Sequence, residues 1–261
     1  MMAQAMLQPH SLLWHYLWVA PQILQLALAL RLWRSGFQKK YPIFFTYLIF
    51  EALEVLALYG MDLLPSVSGE LWFEAFCLGL VVEGVMRFAL IGELLSSLLR
   101  SRPAIAKSSG RLMSISGAML VLAATLTAAY APVDVYHFAM RYRASLLQQA
   151  LYMIECGLIV FLFVFATFCH STWSRAAFGI ALGRGISSSV HLATWAIMAN
   201  GGVSGSRYLL DFLNMATYHA CVLIWMYYLL VPQKVAATSA VSLPESDLEV
   251  WNREVERLIQ P

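Results

Sequence analysis

Residues 70–98 read ELWFEAFCLGLVVEGVMRFALIGELLSSL, a long apolar run with a few charged residues embedded in it. The run exceeds the roughly 20 residues that a helix needs to cross a bilayer. Two similar runs precede it and four follow it. Because lipid offers no hydrogen bonds to the backbone, each run is predicted to be a helix. The sequence therefore predicts an all-α polytopic membrane protein with seven transmembrane helices.

The predicted spans are separated by short breaks rich in Pro, Gly and Ser, which are typical of turns. They form a predicted transmembrane domain of residues 1–232, followed by a cytoplasmic tail of residues 233–261. The fourth span carries no charge and is expected to face lipid. The seven spans are Ser11–Leu32, Tyr41–Leu63, Glu70–Leu98, Leu112–Ala131, Ala144–Cys169, Arg175–Ala199 and Tyr208–Val231.

The tail contains a second, shorter pattern. Leu248, Trp251, Val255 and Leu258 recur at helical spacing, which predicts a short amphipathic helix within residues 244–260. This helix is expected to lie on the base of the bundle or on the membrane surface. Alternatively, it is a docking site for a cytoplasmic protein partner.

The distribution of Lys and Arg predicts the orientation. Ten of these residues lie on the side of the first, third and fifth loops and the base of the seventh helix, against three on the other side. Basic residues accumulate on the cytoplasmic side of membrane proteins. We therefore expect the N-terminus outside and the C-terminus inside, in the inner membrane of a bacterium.

Composition excludes several classes of protein. The chain is 60% hydrophobic and 12% charged, whereas a soluble domain carries about 25% charged residues. A net charge of +2 with no concentrated basic face argues against nucleic acid as a partner. The four cysteines are scattered, without metal-ligand or redox spacing. No metal or other cofactor is expected.

Ionisable residues inside the spans are costly in lipid and are therefore candidates for function. Glu83 and Arg87 are four residues apart on one helical face, which predicts an ion pair. Glu93 is expected to pair with Arg184, and at least one remaining glutamate is expected to be protonated or bonded to His191. The candidate ligand-binding or cavity-lining residues are Glu51, Glu83, Arg87, Glu93, Glu155, Arg184, Ser188 and His191.

The same polar pattern would arise if these groups only held the helices in register. The sequence leaves both interpretations open. A retinal pigment is excluded, because none of the four lysines lies inside a span. An intramembrane metalloenzyme would need paired ligands such as His-Glu-x-x-His, which the chain lacks. A serine hydrolase is disfavoured because Gly-x-Ser-x-Gly is missing. No catalytic residue is assigned.

The chain resembles a family of uncharacterised seven-helix bacterial inner-membrane proteins. Three segments carry the resemblance: Tyr41-Pro-Ile-Phe-Phe-Thr-Tyr-Leu, the run from Glu83 to Glu93 with Arg87-Phe inside it, and Phe178-Gly-Ile-Ala-Leu-Gly-Arg-Gly. The likeness covers the bundle to about Pro232. It implies a free-standing bundle rather than a fragment of a larger receptor, and it implies no known activity.

The sequence thus favours a receptor-like or binding module with a polar cavity inside the membrane. Its ligand is expected to be small and polar or anionic, held by Arg87 and Arg184. One alternative is a small-solute carrier of the three-plus-one-plus-three kind, in which Glu155 or Glu51 would carry a coupling proton. Pro21-Gln22 resembles the PQ-loop dipeptide of such carriers. The second alternative is a structural or assembly subunit, and an enzyme is the least favoured class.

Overall fold

The computed structural model describes residues 11–99, 139–168, 172–199 and 207–231, together with five single positions between 115 and 126. Within these residues the chain is all helical, with no β-strand. Each long helix begins and ends within a few residues of a predicted span. The helices are α1 (Leu12–Arg34), a 3-10 turn (Phe37–Lys39), α2 (Pro42–Leu63), α3 (Gly69–Leu98), α4 (Ala139–Phe168), α5 (Arg175–Ala199) and α6 (Arg207–Leu230).

Five of the described helices, all except α5, are long and apolar enough to cross a membrane. Large apolar side chains such as Leu78, Val160 and Val164 are exposed on the outside of the bundle. A soluble protein would not leave so many of them in water, whereas lipid accepts them. The predicted helices of the first, second, third, fifth, sixth and seventh spans are confirmed as helices.

The predicted fourth span lies mostly outside the described residues. Its five described positions are helical, and Gly117 lies against Phe88 of α3. The other four positions are exposed and follow the spacing of one helical face, which is the pattern expected of a surface in contact with lipid. They are Ile115, Met119, Leu122 and Leu126. Residues 1–10 and the predicted tail helix within 244–260 lie outside the described residues.

Local sequence signals explain where the helices begin. Ser11 caps α1 by accepting a hydrogen bond from the backbone N–H of Trp14 at 3.2 Å. Ser68 caps α3 through Leu71 N–H at the same distance. Pro42 occupies the first turn of α2, where a missing backbone N–H costs nothing. These residue types are the ones that favour helix starts in any solvent.

The described helices close into a ring. Each packs beside the next one in the series α1 to α6, and α1 also packs against α6. The ends of α1, α3, α4 and α6 lie at the same end of the bundle as the beginnings of α2 and α5, so α3 runs parallel to α4 and α1 runs parallel to α6. We call this half of the bundle the closed half and the opposite one the open half.

Apolar side chains fill the closed half. Leu28, Phe44, Leu94, Ile180 and Trp225 come from five different helices, and each is almost completely buried in one cluster. Phe44 and Trp225 meet edge to face, with ring centroids 5.5 Å apart. This is the geometry that aromatic pairs prefer. The largest apolar cluster of the described helices therefore lies in the closed half.

Glycines let α5 and α6 approach closely. Gly179 and Gly183 are four residues apart on α5, where a Cβ would collide with the side chains of Tyr228 and Trp225. The Sγ of Cys221 donates a hydrogen bond to the Gly183 carbonyl at 3.1 Å. Small residues at this spacing are a common means of bringing membrane helices together. Gly179 and Gly183 therefore let α5 pack tightly against α6 beside the apolar cluster.

Candidate ligand cavity

A cavity of about 220 Å³ extends from the middle of the bundle into the open half. Four charged wall residues come from three helices: Glu51 of α2, Glu83 and Arg87 of α3, and Arg184 of α5. The volume corresponds to about seven water molecules at the ~30 Å³ that each occupies in liquid water. The cavity is thus large enough for a small organic molecule.

Arg184 is the most heavily bonded residue at the cavity floor. Its Nε and Nη2 donate to the two carboxylate oxygens of Glu155 of α4 at 2.7 and 2.9 Å. Its Nη1 donates to the hydroxyl of Tyr47 of α2 at 2.6 Å. All three residues are buried. A bidentate arginine–carboxylate pair of this kind fixes orientation as well as charge, so Arg184 ties α5 to α4 and α2.

Arg87 also lies near Glu155, but fewer of its N–H groups have hydrogen-bond acceptors than those of Arg184. Its Nη2 pairs with Glu83 one turn earlier on α3, which confirms the predicted ion pair. The same nitrogen donates to the Tyr152 hydroxyl at 3.3 Å, and Nη1 lies 3.7 Å from Glu155 Oε2. Nε and Nη1 have no hydrogen-bond acceptor among the described residues. Two carboxylates therefore balance the charge of Arg87, while two of its donors remain unpaired.

An aromatic stack supports this side of the cavity. The guanidinium carbon of Arg87 lies 4.5 Å from the centroid of the Tyr152 ring, a distance typical of a cation–π contact. The ring of His191 from α5 stacks against Tyr152 at 4.6 Å. The Nδ1 of His191 lies 2.9 Å from the Ser187 carbonyl oxygen. A carbonyl can only accept, so Nδ1 carries the hydrogen, and Nε2 of the neutral ring is an acceptor.

Glu51 is held by a chain of hydrogen bonds from α1 and α6. Gln25 Nε2 donates to Glu51 Oε2 at 3.0 Å, and the Tyr218 hydroxyl donates to Gln25 Oε1 at 2.6 Å. The nearest described cation is Arg184, whose Nη1 is 3.8 Å from Glu51 Oε1. The polar network therefore contains side chains from all six described helices.

The network holds more acid than base. Among the described residues, the carboxyl groups of Glu51, Glu83 and Glu155 face two guanidinium groups, those of Arg87 and Arg184. In a medium of low dielectric constant an unbalanced charge is expensive, whereas a paired and hydrogen-bonded one is tolerated. The excess of one carboxyl group is thus the main electrostatic feature of the site.

The structure separates the eight predicted site residues into three groups. Glu51, Glu83, Arg87, Arg184 and His191 line the cavity. Glu155 lies behind the wall, bound to Arg184, and Ser188 is completely buried on α5 without lining this cavity. The third group is Glu93 alone, which lies in the closed half.

The predicted pairing of Glu93 with Arg184 is wrong. Glu93 Oε1 and Oε2 accept hydrogen bonds from the backbone N–H groups of Ile43 and Phe44 at 3.0 and 2.9 Å. These donors belong to the first turn of α2, which has no partner for them within its own helix. A carboxylate also suits the positive end of the helix dipole. Glu93 therefore caps a neighbouring helix, and Arg184 pairs with Glu155 instead.

Of the two states expected for the excess glutamate, protonation or a bond to His191, the bond is not seen among the described residues. Among the described hydrogen bonds the ring of His191 is bonded to the Ser187 carbonyl and not to Glu51 or Glu155. These glutamates find stronger donors in Gln25 and Arg184. Since the histidine stacks on Tyr152, its orientation is set by the aromatic ring and the backbone carbonyl rather than by a carboxylate.

Sequence reasoning overlooked two members of the network, Gln25 and Tyr47. Both are completely buried, and each bonds to one of the charged residues. The available signal was an amide in an otherwise apolar span, since Gln22 and Gln25 share one face of α1. The tyrosine carried no comparable signal, because tyrosines are common at the ends of membrane spans.

Among the described residues, no group of three or more His, Cys, Asp or Glu side chains is arranged to hold a metal ion. No family model, no curated protein and no solved structure matches the chain.

Proposed function

We propose that the chain is a seven-helix integral protein of a bacterial inner membrane, with its N-terminus outside. The five apolar helices and the helical positions between α3 and α4 support this count. The excess of basic residues at the closed end of the bundle supports the orientation. In this arrangement the open half faces the outside of the cell.

Within that frame the protein is a binding module for a small polar ligand, which it holds in the cavity. The observation that carries this proposal is the convergence of four charged side chains from α2, α3 and α5 on one open space of about 220 Å³. Charged groups that only held helices together would be better packed against each other, because empty space beside a buried charge removes its stabilising contacts.

The residues have different roles in this proposal. Arg184 is committed to Glu155 and Tyr47 and builds the floor. Glu51, Glu83 and His191 supply acceptors at the wall, and Arg87 supplies unpaired N–H groups. Arg184 is therefore expected to hold the wall of the cavity together rather than to hold the ligand, unlike the expectation drawn from the sequence.

The test is a binding screen with a variant that fills the cavity. Met215 of α6 lines the cavity, whereas Leu213 of the same helix is exposed on its outer side. The full chain in lipid nanodiscs is heated with a panel of small amines, carboxylates, sugars and metal ions. A ligand at one hundred times its Kd stabilises the folded state by about 2.7 kcal/mol, which raises Tm measurably.

We expect Met215→Trp to remove the Tm shift and Leu213→Trp to retain it. A shift that survives Met215→Trp would place the ligand elsewhere and contradict the proposal. If no compound changes the Tm of the wild-type chain, the network is a structural device, and the subunit or assembly role becomes the better account.

Transport is the second candidate function. The cavity occupies one half of the bundle while apolar side chains fill the other, as in one state of an alternating-access carrier. Uptake of the ligand found in the screen into proteoliposomes would distinguish a carrier from a receptor. Flat uptake between about pH 5 and 8 would contradict proton coupling through Glu51 or Glu155. A receptor would instead pass its signal to a cytoplasmic partner, for which residues 244–260 are the proposed contact.

A further inference from the structure

Glu51 is the one carboxylate of the network without a cation of its own. Glu83 pairs with Arg87, and both carboxylate oxygens of Glu155 accept hydrogen bonds from Arg184. Glu51 lies 3.8 Å from Arg184 Nη1, a nitrogen that already donates to Tyr47 at 2.6 Å. The Glu51 side chain lines the cavity and is nearly buried. Its carboxyl group therefore borders the space where a ligand would lie.

A second and independent observation is a buried acceptor without a donor on the same wall. Gln22 of α1 is 3% exposed, yet its Oε1 has no hydrogen-bond donor among the described residues. His191 contributes Nε2 as an acceptor, because its Nδ1 hydrogen is used by the Ser187 carbonyl. A buried acceptor without a donor is costly. A ligand with N–H groups would satisfy the Gln22 oxygen, with His191 Nε2 as a further acceptor.

The unpaired donors of Arg87 do not make the cavity suited to an anionic ligand. Its guanidinium is already neutralised by Glu83 and by Glu155, whose Oε2 lies 3.7 Å from Nη1. Tyr152 covers its face at 4.5 Å. An anionic ligand would add a fourth negative charge to a site that has three carboxylates and two guanidinium groups.

The rest of the wall is apolar. Leu17 and Trp18 of α1, Val55 of α2 and Met215 of α6 line the cavity beside the polar groups. They would contact a hydrocarbon body, while the polar groups contact a charged head. The site thus combines one carboxyl group without a cation of its own, further acceptors and a small apolar surface.

We propose that the ligand is a small organic monocation, a protonated amine whose N–H groups bond to Glu51 and to neighbouring acceptors. This inference rests on the proposed function, because it specifies the ligand of the same cavity. The amine supplies a cation to Glu51, which has none of its own, and its short carbon chain packs on the apolar wall.

The test uses three probes of nearly equal size that differ in charge: butylammonium, 1-butanol and butyrate. Binding to the full chain in nanodiscs is measured by calorimetric titration and by the shift in Tm. We expect butylammonium to bind at least tenfold more tightly than the other two. Glu51→Gln should weaken butylammonium binding at least tenfold and leave 1-butanol unchanged.

Glu54→Gln is the matched control. Glu54 lies one turn further along α2, with its carboxyl group over Gly79, and does not line the cavity. This variant should bind butylammonium as the wild type does. If Glu51→Gln does not fold, butylammonium binding is compared between Met215→Trp and Leu213→Trp. Loss of binding in the first variant alone still locates the probe in the cavity.

The other outcomes separate this inference from the proposed function. Preferential binding of butyrate, blocked by Met215→Trp, would overturn the cationic ligand and keep the cavity as a binding site. The cationic ligand would likewise be overturned, and the cavity kept as a binding site, if Met215→Trp blocks only the binding of a neutral or anionic compound from the wider panel. If no compound binds in the cavity at all, the proposed function itself fails.

Discussion

The two halves of the bundle use polar groups for different purposes. In the closed half, polar side chains mainly satisfy backbone or each other: Glu93 caps α2, and the Tyr41 hydroxyl lies within 3.0 Å of Ser97 and Ser174. In the open half, Glu51, Arg87 and His191 border a cavity, where two donors of Arg87 and the Oε1 of Gln22 remain unpaired. The polar groups named for the first half bond to each other or to backbone, whereas the second half has places for a ligand.

The difference shows that a charged residue inside a membrane span is not evidence of a ligand site by itself. Glu93 and Glu83 lie on the same helix, and both were candidates from the sequence. One neutralises a helix end, and the other borders the cavity. What distinguishes them is the neighbour that each side chain meets, since every buried polar group in lipid must find a partner.

The largest expected effect lies at the boundary between the two halves. Arg184→Met removes the cation that holds Glu155 and Tyr47, and leaves Glu155 buried with only Arg87 nearby. Breaking one partner of a buried pair costs about 3–5 kcal/mol. We expect the free energy of unfolding, measured in mixed micelles, to fall by about 3 kcal/mol or more.

The double variant Arg184→Met with Glu155→Leu is the control for this first prediction. It removes both charges and should recover most of the lost stability, because a neutral pair has no uncompensated charge. Equal instability of the single and double variants would mean that the loss arises from packing and not from the ion pair.

The next effect tests the packing of the closed half. Gly179→Ala places a methyl group against Tyr228 and should separate α5 from α6. Overpacking of this kind costs about 1–3 kcal/mol. Gly157 of α4 has no neighbour within 4 Å of an added Cβ, so Gly157→Ala should leave the free energy of unfolding unchanged or slightly higher. Equal losses in the two variants would contradict close packing of α5 on α6.

The smallest effect separates capping from ligand binding. Glu93→Gln keeps one acceptor oxygen but loses the charge that favours the first turn of α2. We expect a loss of about 1 kcal/mol in the free energy of unfolding, the usual value of a helix cap. Binding of the cavity ligand should be unchanged, because Glu93 does not line the cavity. A weakened Kd would show that the two halves are coupled.

Much of the fold could be predicted because the signals are local. The bounds of α2, α5 and α6 differ by no more than a residue or so from the predicted spans. The Glu83–Arg87 pair was also predictable, since residues four apart on a helix are neighbours whatever surrounds them. Local periodicity could not show that Gln25 and Tyr47 complete the network, because their partners lie on other helices.

The sequence by itself determined that the helices are apolar enough to lie in lipid, that the fold is all helical and where the helices lie along the chain. Lipid forces each segment to satisfy its own backbone, so length and hydropathy suffice for those conclusions. Only the tertiary structure decided that Glu155 pairs with Arg184, that Glu93 caps α2 and that Glu51 is left beside a cavity. These contacts depend on the rotation and tilt of each helix against its neighbours, which the packing of the whole bundle sets.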